Sequence, residues 1–157
     1  MHVQQRGAIV TWICDTCREA INTPDNGWLE WKSVNPGTGN KRGFRLVHDA
    51  GGPYNNRCMY DERQFAEGES LADLPLESFL GQDGLMTLLE FLSDSPEASG
   101  EIIEIIKRLH IEGYEMARRH FDSALRDGVF ERNTKPGFYA QRDIKATLDW
   151  VATNPRD

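Results

Sequence analysis

The chain has 157 residues, and its hydrophobic fraction of 39% is enough to bury the core of one ordinary domain or of two small ones. Its 25 acidic and 18 basic residues give a net charge of -7, which argues against broad adhesion to nucleic acid or to an anionic membrane. No stretch approaches the roughly 18 consecutive apolar residues of a spanning helix, and no export signal is visible. We therefore expect a cytoplasmic protein with no membrane partner.

The first part of the chain contains three short runs of β-branched and aromatic residues, which predict strands. These runs cover residues 8–13, 28–34 and 44–48. The loop between the second and third runs holds one proline and three glycines, which favours a β-hairpin. A polar stretch then follows, and it predicts a domain boundary near residue 65.

Beyond that stretch the spacing of apolar residues changes from two to about 3.6, which predicts helices over residues 85–92, 101–109 and 115–128. A Pro-Gly turn within residues 129–140 predicts a second hairpin, and a last helix begins near Arg142. The sequence thus predicts an α+β fold. A small antiparallel β-sheet module occupies residues 1–65, and a mainly helical module occupies residues 66–157.

Three cysteines make an odd number, so a disulfide framework explains them poorly in a reducing compartment. Cys14 and Cys17 form a C-x-x-C at the end of a predicted strand, while His48 ends the third strand and Cys58 follows a glycine-rich turn. A three-strand meander would bring all four side chains together. Thiolates and an imidazole in a tetrahedral set favour zinc, and four protein ligands make the site a structural one.

Three other interpretations of these residues remain open. The cysteines could be ordinary buried thiols, with His48 a hydrogen-bonded strand residue. They could form a redox C-x-x-C, although the thioredoxin-like setting of that motif is missing. A catalytic zinc would need an open position and a nearby base, for which Asp49 and Glu30 are available.

The nine residues ICDTCREAI resemble the zinc knuckle of zinc-ribbon and treble-clef proteins, which often read C-x-x-C-G. In this chain Arg18 stands where the knuckle usually has glycine. The resemblance implies that Cys14 and Cys17 supply the first pair of zinc ligands.

Residues 85–140 resemble a winged helix-turn-helix. The turn would lie at Leu109 to Ile111, the second helix at residues 115–127, and the wing at residues 133–137. If that helix binds duplex DNA, the resemblance implies contacts from seven basic residues, which are Lys107, Arg108, Arg118, Arg119, Arg126, Arg132 and Lys135. The simpler interpretation is a solvated helix face with intrahelical ion pairs, and winged helices also serve as protein docking modules.

The function that we expect first is that of a small, zinc-binding, non-enzymatic protein of a bacterium or mobile element, acting as an interaction module, adaptor or inhibitor. Residues 71–157 hold 16 acidic and 10 basic groups, which would suit a basic groove on a protein partner. The alternative is a zinc-bearing, DNA-binding transcriptional regulator. A zinc-dependent hydrolase is the second alternative, but no nucleophile-base pair or phosphate loop stands out. The sequence leaves the oligomeric state open.

Overall fold

The structure of the chain is a computed structural model that describes residues 11–49 and 58–154. It divides the chain into two compact units, Met1–Leu109 (the N-terminal unit) and His110–Asp157 (the C-terminal unit). Antiparallel sheets lie in the first unit and helices in both, so the fold class is α+β, as the sequence predicts. None of the described helices is long and apolar enough to cross a membrane.

Two antiparallel sheets form in the N-terminal unit. The smaller pairs β1 (Trp12–Ile13) with β2 (Ala20–Ile21). The larger has the order β4-β3-β5, where β3 is Gly27–Val34, β4 is Lys41–His48 and β5 is Glu69–Pro75. Of the strand predicted over residues 8–13, Trp12 and Ile13 form β1. Residues 8–10 and the predicted turn at residues 50–57 lie outside the described part of the chain.

The predicted hairpin between the second and third strands is confirmed. β3 and β4 pair antiparallel, with Gly27 opposite His48 at the open end. At the closed end the Thr38 amide donates to the carbonyl of Asn35 over 3.1 Å, and Gly37 takes a left-handed φ of 96°. That backbone region is easily reached by glycine, which explains why a glycine-rich loop reverses the chain here.

Helices α1 (Gly81–Asp94) and α2 (Ser99–His110) follow the larger sheet. Short 3-10 turns connect the elements of this unit at Pro24–Asn26, Glu62–Gln64, Leu76–Phe79 and Pro96–Ala98. The buried face of the sheet meets the helices around Trp31, whose ring lies 5.7 Å from Phe44, 6.2 Å from Phe79 and 5.2 Å from Phe91 between centroids. One continuous core thus joins the sheet to both helices.

The C-terminal unit is helical. The helix predicted over residues 115–128 is divided into α3 (Tyr114–Ala117), a 3-10 turn (Arg118–His120) and α4 (Phe121–Arg126), and the predicted last helix is α5 (Gln141–Thr153). Tyr114, Ala117, Phe121 and Ile144 form its buried core.

The second predicted hairpin does not form, because residues 129–140 contain no strand. The aromatic residues that suggested strands pack inward instead. Tyr139 stacks on Phe121 with ring centroids 3.7 Å apart, and Phe130 meets both rings edge-on at 6.1 Å. Their side chains thus extend the core of the C-terminal unit, and the winged arrangement is not confirmed.

The observed division of the chain differs from the predicted boundary near residue 65. β5 pairs with β3 along its whole length, and the N-terminal unit extends to Leu109. The polar stretch before β5 is an ordered turn, in which Asp61 and Gln64 form a reciprocal capping box. By these units, residues 1–109 hold 17 acidic and 10 basic side chains, whereas residues 110–157 hold eight of each.

Candidate metal centre

The C-x-x-C segment forms a tight turn between β1 and β2. The Arg18 amide donates to the carbonyl of Cys14 over 3.0 Å, and the Cys14 amide donates to the carbonyl of Glu19 over 2.9 Å. Arg18 has a left-handed φ of 68°, which glycine adopts more readily than other residues. The local backbone therefore has the form for which the knuckle usually uses glycine, although arginine occupies the position.

His48 comes to this turn from the end of β4. Its Nδ1 lies 3.4 Å from the Cys17 sulfur and 3.7 Å from the Cys58 sulfur. Its Nε2 lies 3.0 Å from the carbonyl oxygen of Ala20, which can only accept a hydrogen bond. Nε2 is therefore the protonated nitrogen, and the lone pair of Nδ1 points to the sulfurs.

The four predicted residues Cys14, Cys17, His48 and Cys58 lie close enough together to hold one metal ion. Their ligand atoms are all within 4.8 Å of one another. Around a tetrahedral ion with ordinary bond lengths, a sulfur and a nitrogen ligand would be about 3.6 Å apart and two sulfurs about 3.8 Å apart. The two measured sulfur–nitrogen distances match that geometry.

The three thiols have unlike acidities. Burial alone would raise the pKa of Cys14, but backbone amides of Cys17, Thr16 and His48 lower it to about 7. Burial raises the pKa of Cys17, and burial together with the two neighbouring sulfurs raises that of Cys58 to about 12. Three thiolates at this spacing repel one another, so a divalent cation among them would stabilise the deprotonated set.

Asp15 attaches the turn to two other parts of the N-terminal unit. Its amide donates to the Leu46 carbonyl over 2.8 Å, and its carboxylate accepts from the Leu46 amide over 2.8 Å. The same carboxylate accepts two bonds from Arg108 Nη1, at 3.0 and 2.8 Å, while Arg108 Nη2 donates to the Ile13 carbonyl over 3.1 Å. Arg108 is only 4% exposed. Arg108 therefore orients Asp15, which directly follows Cys14 in the turn.

Cys58 is held through its own carbonyl oxygen, which accepts from Thr16 Oγ1 over 2.6 Å and from Arg45 Nη2 over 3.3 Å. Arg45 also contacts the fully buried carboxylate of Glu30 over 2.5 Å. Burial raises the pKa of Glu30 despite that contact. Glu30, which the sequence offered as a base for a catalytic metal, is thus engaged in holding the fourth ligand.

The seven predicted nucleic-acid contacts do not lie on one element. Lys107 and Arg108 belong to α2 of the N-terminal unit, and Arg108 is buried against Asp15, which removes it from the phosphate contacts that we expected. The other five belong to the C-terminal unit, where Arg118 is half-buried and the remaining four are exposed: Arg119, Arg126, Arg132 and Lys135. Glu115, in α3 next to these residues in the sequence, is buried.

Arg126 and Arg132 share a surface groove of the C-terminal unit. The groove is also lined by the apolar side chains of Leu125 and Phe130 and by the carboxylates of Asp122 and Glu131. Two of the predicted contacts therefore meet at one place, among charges of both signs.

Comparison of the chain with protein-family models, with curated proteins and with solved structures gives no match.

Proposed function

We propose that the chain is a zinc-stabilised, non-enzymatic protein that acts by binding a basic protein partner in a reducing compartment such as the cytosol. Zinc is favoured over calcium or magnesium because the donor set is three sulfurs and one imidazole nitrogen. Four protein ligands complete a tetrahedral ion and leave no position for a substrate water. The metal would therefore stabilise the fold of the N-terminal unit.

The metal assignment is tested by the metal content of the chain purified without added metal. We expect elemental mass spectrometry to find one zinc ion per chain in the purified protein. In Cys58→Ser we expect less than a tenth of this zinc content. The conservative serine keeps the side-chain volume but provides a poor ligand. Equal metal content in the two proteins would contradict the four-ligand assignment.

The observation that carries the binding function is the charge of the N-terminal unit. Residues 64–106 contain ten carboxylates and no lysine, arginine or histidine. These residues include β5, α1 and most of α2, and nine of the ten carboxylates lie in strands, helices or 3-10 turns. Acidic surfaces attract basic partners from a distance and exclude acidic ones, which supports a basic protein partner over nucleic acid.

This function is tested by capture from source cells, followed by reconstitution with the purified partner. We expect a basic protein to bind the chain in calorimetry, with an affinity at least tenfold lower at 500 mM than at 50 mM salt. The charge contribution is tested with a comparison variant, called here the control, in which the exposed residues Glu67, Glu77 and Glu97 are changed to glutamine and which should bind with a weaker salt dependence. A partner that binds this control and the parent chain with the same salt dependence would contradict the proposal.

A DNA-binding regulator is the second candidate, and the shared groove of Arg126 and Arg132 favours it. The neutral C-terminal unit would oppose duplex DNA less than the acidic N-terminal unit does. Fluorescence anisotropy of labelled duplex DNA tests this function at low and moderate salt. Binding that weakens with salt and in an Arg126→Ala, Arg132→Ala variant would support it, and Arg118→Ala, Arg119→Ala tests the helix face that the sequence indicated.

A further inference from the structure

Helix α1 leaves one face in solvent. Gly84 and Leu88 are buried, and Phe91 and Leu92 pack partly against the core of the N-terminal unit. Gly84 lies so close to the preceding chain that an added Cβ would be 2.0 Å from the carbonyl carbon of Phe79. This side of α1 is therefore fixed against the unit, and the opposite side is the one presented to solvent.

Two large apolar side chains lie on that solvent side. Met86 is 59% exposed and Leu89 is 46% exposed. At 3.6 residues per turn they are neighbours on one arc of the helix, and Ser93 lies between them one turn later. A single exposed leucine needs no explanation, but two on one helix face form a surface that a second apolar surface can cover.

Carboxylates border this apolar surface along one side. Asp83, Glu90 and Asp94 occupy the adjoining arc of α1 and are all exposed. Asp94 lies 4.0 Å from the Lys41 ammonium. Among the described residues no cation forms a salt bridge with Asp83 or Glu90, so their charges act outward into solvent.

The charges select among the molecules that could cover this face. A second copy of the chain would bring a like set of carboxylates against Asp83 and Glu90, and an anionic membrane would be repelled in the same way. A protein segment with apolar residues at helical spacing and lysine or arginine beside them would complement both halves of the face.

We infer that the solvent face of α1, formed by Met86, Leu89, Asp83 and Glu90, is a docking site for a basic amphipathic helix of a partner protein. The inference rests on the proposed function and names the surface that performs it. Met86 and Leu89 provide the contact area, and the flexible methionine can adjust to the partner. Asp83 and Glu90 provide orientation and the preference for a basic segment.

The test uses a fluorescently labelled synthetic peptide of 18 residues, with leucine at helical spacing and lysine elsewhere, added to the full metal-loaded chain. Anisotropy measures its binding. We expect Met86→Ser with Leu89→Ser to weaken binding about 100-fold, since each truncation removes apolar contact area that contributes about a factor of ten to the affinity. We expect Asp83→Asn with Glu90→Gln to lower the affinity about tenfold at low salt and to flatten its salt dependence.

The matched control is Met116→Ser with Phe138→Ser, which truncates two comparably exposed apolar residues of the C-terminal unit, at 40% and 53% exposure. We expect this control to bind the peptide as the parent chain does. A peptide of the same pattern with glutamate in place of lysine should not bind. Circular dichroism checks folding, and we expect all variants to keep the helix content of the parent chain.

Four outcomes would overturn the inference. One is that the peptide does not bind the parent chain, and another is that the control variant loses as much affinity as the α1 variant. The third is a dimer in sedimentation that dissociates in Met86→Ser with Leu89→Ser, because a second copy would then occupy the face. A captured partner that binds the α1 variant as tightly as the parent would overturn this site and leave the proposed function standing.

Discussion

The two units of the chain are stabilised in different ways. In the N-terminal unit, polar groups are buried beside the apolar core: Glu30, His48 and Arg108 are each less than 5% exposed. In the C-terminal unit the main feature is an aromatic cluster, where Phe121 lies between Tyr114, Phe130 and Tyr139. The C-terminal unit has 48 residues, and a unit this small needs more than a modest apolar core to be stable.

The residues that stabilise the two units differ in how far apart they lie in the sequence. The residues around the metal centre come from β1, β4, the segment at Cys58 and α2, so distant parts of the chain are fixed at one point. The aromatic cluster joins residues that are close in sequence, with α3 and α4 against the segment before α5. A metal would be useful in the first case because one ion would orient four ligands, whereas local packing suffices in the second.

The largest expected effect comes from removing a metal ligand. We expect His48→Gln to lose the metal and to destabilise the N-terminal unit by on the order of 5 kcal/mol, because metal binding free energy is folding free energy. The matched control, His120→Gln, changes a histidine of the C-terminal unit and should keep one ion per chain. Hydrogen exchange resolved by peptide should increase over residues 12–48 and stay unchanged over residues 121–151. Equal increases in both segments would contradict the separate stabilisation of the units.

The reverse experiment acts on the aromatic cluster. We expect Phe121→Ala to destabilise the C-terminal unit by about 3–5 kcal/mol, the usual cost of deleting a buried aromatic ring. Tyr139 would lose its stacking partner, and exchange should rise over residues 114–151. Metal content should remain at the parent value. A loss of metal in this variant would show that the two units depend on each other for folding.

The third effect concerns the contact between the C-x-x-C turn and α2. We expect Arg108→Leu to cost about 2–3 kcal/mol, because it leaves a partly buried Asp15 carboxylate without its cation, and one-fifth exposure of that side chain reduces the penalty. We also expect metal affinity to fall about 10- to 100-fold, as for other residues that orient metal ligands. Competition with a chelator measures it. Arg63→Leu, which removes an exposed arginine paired with Asp61, should leave metal affinity unchanged.

The smallest effect is expected at the knuckle itself. The left-handed φ of Arg18 is conformationally unfavourable for arginine but not for glycine. Arg18→Gly should therefore stabilise the N-terminal unit by up to about 1 kcal/mol. Asn35→Gly is the matched control, because asparagine tolerates its φ of 48° better than arginine tolerates 68°. Thermal unfolding of the metal-loaded proteins gives both values. A destabilised Arg18→Gly would mean that the arginine side chain makes a contact worth more than the backbone strain.

Short-range patterns in the sequence identified much of the fold and the four residues that lie close enough to hold a metal ion. The hairpin of β3 and β4 follows from alternating strand-forming residues around a glycine-rich loop, and helices α1, α2 and α5 follow from apolar spacing. The four residues of the candidate metal centre could be grouped because each stands near the end of a predicted strand or after a glycine-rich stretch of the sequence. Cysteine and histidine are the usual protein ligands of zinc, so their spacing in the sequence points to a metal site.

Other features depended on information that short patterns lack. β5 was missed because Glu69, Asp73 and Pro75 have low strand propensity, and only pairing with β3 makes this segment a strand. The hairpin expected over residues 129–140 was wrong because Phe130 and Tyr139 have strand-forming side chains that pack on Phe121 instead. The spacing around Arg108 is typical of a surface cation, because nothing local reveals that its partner lies 93 residues earlier.

The 93 residues between Asp15 and Arg108 mean that these two side chains become available at different times during synthesis. During synthesis the four ligands have all left the ribosome once Cys58 has emerged, well before Arg108 does. An ion bound at that stage would meet a turn whose aspartate still lacks its cation, and the complete arrangement would form only when α2 folds. A nascent chain that stops short of residue 108 would therefore hold its ion more loosely and exchange it faster than the finished protein, so early metal capture would be reversible and late capture durable.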